Sequence, residues 1–102
     1  MKRSPNKIVV FLQESTRPEK KYMVQVLNKV IHFGANGYSD LTQHKNKSRK
    51  MNYENRHRSR ENWTKSGIQT AGFWSKWILW NKPGFISSIK DTEKRFNIKI
   101  IY

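Results

Sequence analysis

The residues able to do chemistry are few. The histidines are His32, His44 and His57, and the carboxylates are Glu14, Glu19, Asp40, Glu54, Glu61, Asp91 and Glu93. Asp40 and His44 have the i, i+4 spacing that lets two ligands share one helix face. Nothing supplies a third ligand, and Lys45 and Lys47 crowd the pair with like charge. Metal-dependent nuclease chemistry needs carboxylates that converge on one cation, and no Asp/Glu…Glu-x-Lys arrangement occurs. The stretches Gly34–Gly37 and Ser66-Gly67 lack the glycine pattern and following Lys-Ser/Thr of a phosphate-cradling loop. No serine or threonine has a base and an orienting partner in view. The expectation is a non-enzyme, with no catalytic residue, cofactor, metal ion or small-molecule substrate.

One constellation remains. Between His44 and Arg60 the cations Lys45, Lys47, Arg49, Lys50, Arg56, Arg58 and Arg60 stand against a single carboxylate, Glu54. Such a segment can neutralise phosphates, with Tyr53 or Trp63 stacking on a base. It can equally dock on acidic protein surfaces. No RNP-type strand, zinc finger or helix-turn-helix accompanies it, so any nucleic-acid contact would be nonspecific. The whole chain has 21 lysines and arginines against 7 acidic residues, a net charge of +14, which is comfortable only beside a polyanion or an acidic surface. There is no cysteine, which removes disulfides, thiolate zinc sites and cysteine nucleophiles. The apolar run Ile8–Leu12 is too short for a signal-peptide core or a membrane span, so a soluble protein without a cleavable leader is expected.

These residues must be positioned by a small set of elements. Lys7–Leu12 is β-branched and aromatic enough for a strand, and residues 13–18 read as a loop. Lys20–Leu27 alternates, and Val30–Phe33 follows a turn near Asn28-Lys29, which predicts a hairpin. Ser39 or Asp40 can cap the polar, basic helical segment that runs to about Asn62, with Met51 and Tyr53 as its apolar anchors. Trp63 could pin its end. A second helix spans Phe85–Phe96, closed by Asn97, and Ile98–Tyr102 is again β-like.

Between them lies the aromatic-rich stretch Gly67–Pro83. Thr70 can cap a helix there and Pro83 prevents its continuation. Helical spacing puts Phe73, Trp77 and Trp80 on one face with Trp74 and Ile78 beside them. With only 35 % hydrophobic residues in the chain, the core must draw on this stretch. Phe73, Trp74, Trp77 and Ile78 are the expected core, while Tyr53, Trp63 and Trp80 are candidates for outward contacts. The predicted fold is α+β: a small β-hairpin or sheet packed on two or three helices, with extended N- and C-terminal arms. Residues 1–19 would be an arm and linker, 20–97 one compact domain, and 98–102 a second arm. The arms could pair with the chain's own hairpin or add strands to neighbouring molecules.

The ordered motifs Ile31-His-Phe-Gly34, Gly37-Tyr-Ser-Asp40, Arg56-His57, Arg60-Glu-Asn-Trp63, Lys65-Ser-Gly67, Thr70–Pro83 and Ser88-Ile-Lys-Asp91 carry a resemblance. Together, over roughly Lys20–Phe96, they resemble a family of small basic uncharacterised proteins encoded by large nucleocytoplasmic (giant) DNA viruses. The resemblance brings no catalytic residues. It implies a viral origin and a place in the virion, or in the host cytoplasm (viral factory) during assembly. The expectation is a minor capsid or internal structural protein that bridges other virion or capsid proteins through its basic face and terminal arms. The alternative is a nonspecific DNA- or RNA-binding protein associated with the viral genome.

Overall fold

Ile8–Glu14 (β1) is mostly β-branched or large and apolar, side chains that fit a pleated, half-buried surface. In the computed structural model, which describes residues 7–102, it lies inside a four-stranded sheet. The other strands are β2 (Lys20–Val26), β3 (Lys29–Ala35) and β4 (Ile98–Ile101), in the order β3-β2-β1-β4. β2 runs antiparallel to β1 and β3, and β4 runs parallel to β1 with Ile8 opposite Ile98 and Phe11 opposite Ile101. The fold is α+β.

In this topology the terminal runs pair within the chain, the first of the two pairings considered for them. Both are strands of the sheet that holds the hairpin, β1 pairing with β2 and with β4. Burial explains why. Val10, Leu12, Ile98 and Ile100 point to the same core face as Val24, Val26, Ile31 and Phe33, and without β1 that face would be left half-built. The part of the proposed arm at residues 1–6 lies outside the described residues. The hairpin between β2 and β3 forms as expected, with the turn at Leu27-Asn28. Leu27 takes φ of 57°, a conformation that costs a non-glycine residue about 1–2 kcal/mol.

The basic segment is two helices. Asp40 caps α1 (Leu41–His44) through a capping box with Gln43, and Lys45 ends it at a left-handed φ of 55°. Asn46 then caps α2 (Lys47–His57) by accepting from the Ser48 and Arg49 amides. A 3-10 turn (Lys65–Gly67) leads to α3 (Ala71–Trp74), capped as predicted by the Thr70 hydroxyl on the Phe73 amide. α3 widens into a π turn over Ser75–Leu79. The last helix, α4 (Phe85–Phe96), has the predicted bounds and ends at Asn97 with φ of 54°.

The π turn rearranges the aromatic stripe. Wider winding stacks i on i+5, so Phe73 and Ile78, and Trp74 and Leu79, are the buried pairs. Trp77 is only half-buried, packed on the rim of the core instead of inside it, and Leu79 is buried in the place expected of Trp77. Trp77 is nonetheless well fixed: its indole N–H donates to the Trp63 carbonyl at 2.9 Å, and Phe96 packs edge-on against its ring. The Thr92 hydroxyl donates to the Trp77 carbonyl at 3.1 Å, one partner for a backbone that the π turn has loosened. Trp74, fully buried, donates its indole N–H to the Ile68 carbonyl at 2.7 Å. A side chain of this size removes about 150–250 Å² from water, which contributes about 4–6 kcal/mol.

Candidate polyanion-binding site

α2 carries its charge on more than one face. One buried apolar side chain, Tyr53, holds it to the body of the protein, while Met51, an expected anchor, is 62 % exposed. Tyr53 stacks on Trp80 (4.4 Å, 5° between planes), on His57 (4.3 Å, 27°) and more distantly on Trp63 (6.3 Å, 11°). The three aromatics expected to reach outward therefore grip one another. Their stacking explains the choice: exposed singly each would leave a large ring in water, whereas together they bolt a polar helix onto the aromatic helix. His44 also packs against Trp80, tilted, at 5.3 Å.

Beneath the bolt is a buried ion pair. Lys76, 6 % exposed, places Nζ 2.6 Å from Glu54 Oε2 and over the rings of Trp77 (4.7 Å) and Trp63 (5.4 Å). Burial pulls the Lys76 pKa below its ordinary value, and the hydrogen bond and charge of Glu54 oppose that. Lys50 also approaches Glu54, at 4.0 Å, and donates to the Asn81 carbonyl at 2.8 Å. Lys45 donates to the Pro83 carbonyl at 2.8 Å. Of the seven cations predicted to meet a polyanion, Lys45 and Lys50 thus tie α1 and α2 to the chain that follows the π turn.

The other five, Lys47, Arg49, Arg56, Arg58 and Arg60, make no side-chain hydrogen bond or ion pair with the described residues. They divide by helical spacing. Arg49, Asn52 and Arg56 sit at i, i+3 and i+7, and all three line an open cleft of about 520 Å³. Lys47 and Arg58 lie on another side of α2. The cleft's opposite walls are the ends of β2 and β3, the turn carrying Tyr38, and the first turn of α3 with Ser75, Leu79 and Trp80. Of its carboxylates, Asp40 is engaged by Lys21 at 2.5 Å, and Glu61 has the His57 ring beside it at 3.6 Å. Lys20, Arg49 and Arg56 outnumber Glu61 and leave the cleft with a net positive charge.

Two further groups shape this cleft. The Tyr53 hydroxyl makes no hydrogen bond to any described residue, although the side chain is 7 % exposed. Its pKa is raised, first by burial and then by Glu61, with Arg56 pulling the other way, and all three residues line the cleft. Tyr38, on the rim, is 75 % exposed. Sequence reasoning passed over Tyr38, Asn52 and Lys20. The i, i+3, i+7 spacing of Arg49, Asn52 and Arg56 was a readable signal for one wall. Only the tertiary fold brings the other walls to it. Among the described residues no group of three or more His, Asp or Glu side chains lies close enough to hold a metal ion, and no helix is long and apolar enough to cross a membrane.

A family of unknown function (DUF5754) matches residues 10–57, from β1 to the end of α2. The match therefore includes the Arg49, Asn52 and Arg56 wall of the cleft and stops before the aromatic helix. No curated protein and no solved structure gives a significant match.

Proposed function

We propose that this is a non-enzymatic, basic protein that binds nucleic acid without sequence preference. The observation that carries this reading is where the counter-charge goes. Asp40, Glu54 and Asp91 are spent on internal ion pairs, Glu61 has the His57 ring 3.6 Å away, and Glu93 accepts the Ile100 amide at 2.8 Å. Lys47, Arg49, Arg56, Arg58 and Arg60 remain without internal partners on and just beyond one short helix. Free guanidinium groups at that density match a phosphate backbone, whose oxygens accept paired N–H donors. Backbone contact of this kind gives dissociation constants of about 10⁻⁴–10⁻⁶ M at physiological salt. Filter binding at low salt tests it: retention of labelled DNA or RNA of unrelated sequences is expected, and no retention of any of them refutes it.

A second reading follows from the open side of the sheet. Val9, Phe11, Val30 and Ile101 are exposed there, a surface a protein neighbour could cover. It supports the role implied by the viral resemblance, a minor capsid or internal virion protein docked among other virion proteins by this face and by its cations. The runs Ile8–Glu14 and Ile98–Ile101 would contribute to that role as strands of this sheet, through Val9, Phe11 and Ile101. The protein should then be present in purified particles, and its absence from them would remove this reading.

A further inference from the structure

We propose that the cleft between α2, the β2–β3 end of the sheet and the start of α3 seats one nucleotide of a single-stranded nucleic acid. Its phosphate would lie between Arg49 and Arg56, and its base against Tyr38. The proposal rests on the nucleic-acid reading above and sharpens it to one site.

The dimensions agree. A volume of about 520 Å³ lies inside the range of about 300–1,000 Å³ typical of small-ligand clefts. Arg49 and Arg56 are two helical turns apart, about 10 Å along the axis, with Asn52 between them on the same face. Side chains as long as arginine can close that gap over a single phosphate, each offering a fork of N–H donors. The Tyr53 hydroxyl adds a donor that is unpartnered within the protein, in a side chain held rigid by its stacks on Trp80 and His57. The hydroxyl oxygen keeps some contact with solvent, so a phosphate oxygen in the cleft can accept from it. Trp63 Nε1 and His44 Nε2 are also unpartnered, but neither residue lines the cleft.

Tyr38 supplies the other half of nucleotide chemistry. It follows Gly37, whose φ of +92° and open surroundings leave the turn room to adjust. An exposed tyrosine on the rim of a cationic cleft is a stacking platform for an unpaired base of any identity. A duplex would not use it, since its bases are already stacked and paired. An acidic peptide could satisfy the arginines but has no use for the tyrosine. The single strand is therefore the occupant that uses every feature.

Fluorescence anisotropy with the full chain tests this, using a labelled ten-residue thymidine strand, a duplex of the same length and polyglutamate as competitor. The single strand should bind more tightly than the duplex and resist polyglutamate. Tyr38→Ala, Arg49→Gln and Arg56→Gln should each weaken it about tenfold, from the loss of one stacked base or one charge-assisted contact. Tyr53→Phe, which keeps the ring stacks, should weaken it severalfold. Lys47→Gln and Arg58→Gln, outside the cleft, should change it less than about threefold, as single phosphate contacts at the margin. Unchanged tryptophan fluorescence in the unbound variants would show that the fold is intact. If strands bind but the cleft variants behave like Lys47→Gln, or if duplex or polyglutamate binds equally well, the cleft proposal is overturned while nonspecific polyanion binding stands. If nothing binds even at low salt, both readings fall.

Discussion

Replacing Glu54 by glutamine should be among the most damaging single changes to this protein, although Glu54 sits on a polar helix. The reason is Lys76, whose ammonium is buried and pairs with Glu54 Oε2 at 2.6 Å. Removing one partner of a buried pair costs about 3–5 kcal/mol, because the other charge is left without compensation. The Glu54 side chain is 21 % exposed, so water can reach part of the site, and the indole faces of Trp63 and Trp77 retain some attraction for the cation. A loss of about 2–3 kcal/mol follows, large against the roughly 5–15 kcal/mol that holds a domain folded. Lys76→Met keeps the aliphatic stem between the rings and removes the charge, and Glu54 then still has Lys50 at 4.0 Å. That change should fall within about 1 kcal/mol of wild type, in either direction, as hydrophobic replacements of buried pairs do. The double variant should recover most of what Glu54→Gln loses. Urea unfolding followed by tryptophan fluorescence measures all three. The reasoning fails if Glu54→Gln costs less than about 0.5 kcal/mol, the range of an ordinary surface change, or if Lys76→Met is as damaging.

Two other changes probe the frame of the site. Below pH 6.5 the protein should lose stability: burial first, then Arg49, lowers the His44 pKa from its ordinary 6.5, with Asp40 opposing. The unfolded chain therefore binds the proton more readily, so the His44 contribution is complete above pH 6.5 and is lost as pH falls through the folded value. Protonation also removes Nδ1 as acceptor for the Asn46 amide, now 2.9 Å away, and with it one restraint on the start of α2. Stability measured from pH 8 to 5 should fall less in His44→Gln than in wild type; an identical decline would refute the assignment. Gly34→Ala should cost about 2 kcal/mol or more, since φ is +79° and the added methyl would come within 2.7 Å of Leu79 Cδ1. Thermal unfolding would show it, and an unshifted midpoint would contradict the strain.

Much of the frame was legible in the residues themselves. Thr70 and Asn97 carry cap chemistry in the local chain, the hairpin is written in the alternation of β2, and α4 in its apolar spacing. Three features were not. The π turn depends on tertiary satisfaction of its carbonyls, as by Thr92, so a regular α periodicity put Trp77 in the core and passed over Leu79. The pairing of β1 with β4 joins the two ends of the chain, and apolar strands of that kind read equally well as arms. Tyr53, Trp63 and Trp80 looked like free aromatics because their stacking partners are 10–27 positions apart in sequence. The cationic segment itself was plain, but its division into two tethering lysines, two cleft arginines and an outer set required the helix and its neighbours together.

The central claim is that the unpaired cations on and after α2 meet phosphates. Its most direct test is the salt dependence of single-strand binding, measured as log K against log salt concentration. Contacts by Lys47, Arg49, Arg56, Arg58 and Arg60 should release about 0.7 counterion each, which gives a slope of about −3 to −3.5 if most engage. Arg49→Gln/Arg56→Gln should reduce its magnitude by about 1.4. A slope near zero, or one unchanged in the double variant, would contradict the account.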